Sequence, residues 1–137
     1  MGYAIMSDGE LVDWGVKTFK GKWSKEKGLK ILSVFQRLVS DYKITKVCLK
    51  VNRPSKNSQN LDNVYCMLKN SVKENNLKMF AFTLENLKHC CSEAHNKKDL
   101  IAYLNKRFPE LGFSVKSKNQ DNYYRQFEAV SAISANL

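Results

Sequence analysis

Near the C-terminus a single acid, Glu128, stands before Ala129-Val130-Ser131-Ala132-Ile133-Ser134-Ala135, a run with no further charged side chain. The run reads as a helix of small residues, able to lie close against a sheet. A carboxylate at the start of such a helix is either solvated at the rim or placed to hold a cation, because a buried carboxylate left alone protonates, pairs or binds metal. Asp121, in the loop before the helix, is the best partner for it. Asp8 belongs to an Asp-Gly turn instead. The other chemistry-bearing cluster is His89-Cys90-Cys91 followed by His95. Its spacing matches no standard pair of zinc-chelating turns, and adjacent helical cysteines point about 100° apart. Cys48 and Cys66 fall in apolar strand and helix patterns and read as reduced core residues.

Lysine and arginine total 23 against 13 acids, a net charge of +10. That excess favours a polyanionic partner, and nucleic acid is the commonest. A basic surface kept for solubility is the plainer alternative. With 137 residues, 43% hydrophobic and 11% aromatic, the chain reads as one folded domain with a proper core rather than a disordered segment. No run approaches the roughly 18 apolar residues of a membrane span, and the start is too short and uncharged for a signal peptide. The expectation is a soluble cytoplasmic protein with no membrane partner.

The elements that must position these residues are legible as patterns. Gly2–Met6 and Leu11–Phe19 flank Ser7-Asp8-Gly9-Glu10 and predict a hairpin. Ser24 caps a helix running to about Asp41, with Leu29, Leu32, Val34, Phe35, Leu38, Val39 and Tyr42 at helical spacing. Lys46–Val51 is a β-rich run, followed by a basic loop holding Arg53 and Lys56. Leu61, Val64, Tyr65, Leu68 and Val72 mark a second helix, and Lys78–Phe82 another strand. Thr83 is placed to cap a short helix through about Ser92. Asn96, with Asp99 three residues on, opens a further helix that Pro109 stops. A minor extended segment at Gly112–Val115, a basic stretch at 116–122 and the final helix complete an α/β layer order.

Three stretches together resemble the RuvC-like resolvases of the RNase H-like superfamily. Gly2-Tyr3-Ala4-Ile5-Met6 with Asp8 to Val16 looks like the family's second and third strands, the latter closing on Trp14-Gly15. Lys98-Asp99-Leu100 through Arg107-Phe108-Pro109-Glu110-Leu111 is similar to the lysine-rich helix that ends in Arg-Phe-Pro. Phe127-Glu128-Ala129-Val130-Ser131-Ala132 resembles the motif opening the final helix. The resemblance covers most of the chain and implies a mixed sheet flanked by helices. It also implies a magnesium-dependent endonuclease acting on branched DNA, in which three or four carboxylates converge on two metal ions about 4 Å apart.

The chain departs from that pattern at its chemistry. The family's first strand, which carries the leading Asp, is absent from the sequence. Lys50 stands where the resolvases place a Glu, and Arg125 occupies the position three residues before Glu128. Asp13, in a strand, is far from the final helix in such a fold. The remaining ligands for Mg2+ would be Glu128 and Asp121, and one surviving family carboxylate does not assemble a two-metal site. The favoured expectation is therefore a RuvC-like domain that binds structured DNA or RNA without cutting it and needs no cofactor. Lys50, Arg53, Lys56, Lys116, Lys118 and Arg125 would face phosphate. Tyr123 and Tyr124 stack on an unpaired base or, as the favoured alternative, pack in the core or cap the helix. An active Mg-dependent nuclease and a protein-interaction module are the alternatives. The absent strand lies mid-sheet in the family. It is encoded upstream, replaced by closure of the remaining strands, or supplied by a homodimer mate or another chain.

Overall fold

The computed structural model describes residues 1–51, 58–90, 96–111 and 129. Within them the chain is mixed α/β, in the order β1 (Gly2–Ser7), β2 (Glu10–Val16), α1 (Lys25–Asp41), β3 (Lys46–Lys50), α2 (Gln59–Glu74), β4 (Lys78–Phe82), α3 (Leu84–Cys90) and α4 (Lys97–Arg107), closed by a 3-10 turn at Pro109–Leu111. No helix among the described residues is long and apolar enough to cross a membrane. The extended segment expected at Gly112–Val115 lies outside the described residues. So does the final helix, apart from Ala129, which is helical.

Local chemistry accounts for each boundary. Asp8 (φ 52°) and Gly9 (φ 79°) both take positive φ between the paired Ser7 and Glu10, as a type I′ hairpin turn requires. The antiparallel register runs from Gly2 opposite Val16 to Ser7 opposite Glu10, with an irregularity between Ile5 and Met6. Beyond it, Lys17 N–H donates to Met1 O at 2.8 Å and the Met1 amine to Lys17 O at 2.7 Å, so the ladder stops two residues short of Phe19. Ser24 Oγ accepts from Lys27 N–H, Ser58 Oγ from Leu61 N–H and Asn96 Oδ1 from Asp99 N–H, capping α1, α2 and α4. Thr83 and Asn86 exchange reciprocal side-chain bonds with each other's backbone N–H at the start of α3, in the manner of a capping box. Helices α1 and α2 end alike. Lys43 (φ 52°) and Asn76 (φ 53°) turn left-handed, and Ile44 and Leu77 N–H reach back to Val39 and Val72 O. Each such turn feeds the next strand.

Among the described residues the strands form two separate two-stranded sheets, β1 with β2 and β3 with β4. Lys78 N–H donates to Thr45 O and Val51 N–H to Phe82 O, so residue numbers rise together and β3 and β4 run parallel. No ladder joins β1 to β3 among the described residues, so the remaining strands do not close up on one another there.

The chain divides into two compact units, each assembled from separated segments. The first holds Met1–Lys17, Cys48–Val51 and the described part of Ala81–Leu137. Its core is Leu87, Ile101, Leu104, Phe108 and Leu111, against which Ala4, Met6, Leu11, Trp14, Cys48 and Phe82 pack from the strands. Ile101, Leu104 and Phe108 recur at i, i+3 and i+7, which places them on one face of α4 and its C-cap. The second unit comprises Thr18–Val47 and Asn52–Phe80. There α1 packs on α2, with Gly28, Leu68, Ser71 and Val72 buried.

Some residues of the helical apolar patterns are exposed, Tyr42 at the end of α1 among them. Cys66 is exposed, because it projects opposite the Leu61–Leu68–Val72 stripe of α2. Leu29 is 52% exposed, since Gly28 rather than its neighbour faces inward on α1. Cys48 is half-buried against the first core.

Leu104 is fully inaccessible (0% exposed) and central to its cluster. Leu104→Ala is expected to cost roughly 2–5 kcal/mol, whereas Leu29→Ala stays within about 0.5 kcal/mol, as surface changes do. Denaturant unfolding of the two variants against the parent measures the contrast.

Candidate nucleic-acid interface

Of the residues the sequence nominates for phosphate contact, the structure describes Lys50. It is the last residue of β3 and is half-buried, and Val51 after it donates to Phe82 O at 2.8 Å. The parallel ladder therefore fixes the point at which the chain leaves the sheet, and Lys50 sits at that C-terminal edge. Arg53, Lys56, Lys116, Lys118 and Arg125 lie outside the described residues, as do the two acids proposed as metal ligands, Asp121 and Glu128. Tyr123, Tyr124, Cys91 and His95 lie there too. The nominated set is thus represented by one strand end.

The acids set aside on sequence grounds have visible structural duties. Asp8 occupies the positive-φ corner of the hairpin. Asp13 Oδ2 accepts from the Tyr3 hydroxyl at 3.2 Å, and its Oδ1 accepts from Trp14 N–H at 2.9 Å. The Tyr3 ring lies across the hairpin over Gly15, where an added Cβ would meet Tyr3 Cε1 at 3.1 Å and Oη at 3.2 Å. The Lys17 ammonium sits 5.6 Å from the centre of the same ring, within cation–π range. Gly15, read as part of a Trp-Gly pair, has a local reason for being glycine: the aromatic ring needs its space. Burial raises the Tyr3 phenol above its usual range, and the Asp13 charge and the hydrogen bond to it push the same way.

His89 is exposed on α3, and no three His, Cys, Asp or Glu side chains gather to hold a metal among the described residues. A further basic group receives no role from motif spacing. Lys20, Lys22, Lys25, Lys27 and Lys30 fall within eleven residues that contain one acid, Glu26. Their density is readable in the sequence; what spacing does not reveal is how the loop holding the first of them is fastened to α1.

Comparison with protein-family models, with curated proteins and with solved structures returned no match.

The Tyr3–Asp13 contact gives a pH dependence with a defined sign. The folded state favours the neutral phenol, so this stabilisation is fully present below the ordinary tyrosine pKa of about 10 and is lost as pH rises through the higher folded value. Tyr3→Phe should flatten the fall in unfolding midpoint on the alkaline side of that range. Unfolding curves collected from neutral pH upward test this, and an unchanged alkaline slope would remove the contact from the account.

Proposed function

We propose that this chain is a nucleic-acid-binding domain of RNase H-like, RuvC-like fold that does not cut its ligand. The observation carrying this reading is Lys50 at the end of β3, the strand paired in parallel with β4. The resemblance puts a metal-binding Glu at that strand end. An ammonium group has three donors and no lone pair, so it attracts phosphate and cannot ligate magnesium. It replaces a bound cation by a covalently attached one. The net charge of +10 supports a polyanionic ligand on the scale of the whole molecule.

The order of elements supports the fold assignment: an antiparallel hairpin, then helix, strand, helix, parallel strand and helices. Arg53, Lys56, Lys116, Lys118 and Arg125 are assigned to phosphate with Lys50. Structured DNA or RNA is the ligand class, with a homodimer mate or a strand-supplying protein as a further partner.

The test is binding of the full chain to single-stranded, duplex and four-way-junction probes across a salt series, followed by incubation with Mg2+ or Mn2+. Expected are affinity falling steeply with salt and no cleavage. Lys50→Ala should reduce the slope of log affinity against log salt by about 1, the effect of one phosphate contact. Metal-dependent cleavage abolished by Glu128→Gln would replace this reading with an active endonuclease using Glu128 and Asp121. Absence of binding to every probe at low salt would leave an interaction module, to be sought by co-purification.

A further inference from the structure

The start of α1 is a fastened basic corner. Trp23 packs on Gly28, whose missing Cβ leaves the room: a methyl there would come within 2.9 Å of Trp23 Cη2 and 3.3 Å of Met67 Sδ. Lys27 Nζ donates to Gly21 O at 2.8 Å, and Ser24 Oγ accepts from Lys27 N–H at 3.1 Å. An indole contact, a side-chain bond and a cap therefore hold the Lys20–Ser24 loop against the first turns of the helix. All of this lies within the second unit.

The lysines left over are Lys20, Lys22, Lys25 and Lys30, all exposed. Among the described residues none of the four side-chain ammonium groups makes a hydrogen bond or ion pair, and Glu26 is the only acid within their stretch. Four like charges carried within eleven residues raise the energy of the free protein, and a polyanion relieves that repulsion. A loop kept only for solubility needs no such fastening, because separated, mobile lysines solvate equally well. Fastening does serve binding, since less loop freedom is lost when the ligand arrives.

We infer that the corner formed by Lys20, Lys22, Lys25 and Lys30 is a phosphate-contact surface for nucleic acid, additional to the residues grouped with Lys50. The inference rests on the nucleic-acid reading above and names a surface for it. Contacts of this kind position a backbone and carry no base specificity. The corner therefore contributes affinity and salt dependence evenly across sequences.

The experiment compares three full-length proteins by anisotropy on labelled single-stranded and duplex probes over a salt series. These are the parent, the combined K20A/K22A/K25A/K30A variant, and K69A/K73A/K78A/K106A, which removes the same charge from exposed positions elsewhere. The corner variant should lose most of the affinity and lower the log–log salt slope by about 3, since each duplex phosphate contact contributes about 0.9 and each single-strand contact about 0.7. The control should change far less. Equal losses in the two variants, or none in the corner variant, overturn the assignment while leaving nucleic-acid binding intact. A parent that binds no probe overturns the underlying reading and the corner with it. Acetylation footprinting of the parent needs no variant. Bound nucleic acid should protect Lys20, Lys22, Lys25 and Lys30 more than Lys69 and Lys73, and equal protection counts against the corner.

Discussion

The apolar cluster centred on Leu104 is the interaction on which the first unit depends. A two-stranded sheet is barely stable alone in water, and β1–β2 and β3–β4 form no ladder with each other among the described residues. What they share in this unit is a floor. Ala4, Met6, Leu11 and Trp14 from the hairpin, with Cys48 and Phe82 from the other pair, all rest on residues of α3, α4 and the 3-10 turn. Burial of side chains, rather than backbone pairing, joins the strands here. That burial is non-directional, so it tolerates a gap in the hydrogen-bonded sheet that a ladder would not.

The charges follow a different logic from the core. The resemblance supplies a frame in which acids should converge, and this chain sets lysine or arginine at two of the positions concerned, Lys50 and Arg125. Asp13 is engaged by Tyr3 and by the backbone of Trp14, and Asp8 sits at the hairpin turn. On the proposed reading, fixed cations in place of carboxylates would attract phosphate directly where the family would recruit magnesium. The proposal for the lysines around the start of α1 applies the same principle to a second place on the chain, where Trp23 packs on Gly28.

Much of the fold was legible because its signals are local. The Asp-Gly turn, the Ser24 and Asn96 caps, the Thr83 cap and the Pro109 stop each depend on residues within a few positions of one another, and each appears as the pattern predicts. Ser58, after the basic loop, caps α2. Periodicity was less decisive for side-chain environment. Leu29 and Cys66 fit apolar patterns and face outward, because a helix stripe has a direction that only its packing partner selects. The candidate site was legible as a list of types: a strand-end lysine, a lone acid on a small-residue helix, basic loops. A site is a set of distances between segments far apart in sequence, and spacing along a chain does not contain those distances.

The sequence by itself determined the α/β order, the basic character and the absence of the expected acid at position 50, since these are properties of composition and of neighbours along the chain. Tertiary structure decided what side-chain pattern cannot express. It parted the strands into two sheets, gave Gly15 and Gly28 their reason through the Tyr3 and Trp23 rings, and fastened the Lys20–Ser24 loop to α1. Each of those outcomes turns on close contact between atoms whose approach is set by packing, and packing is a property of the whole folded unit.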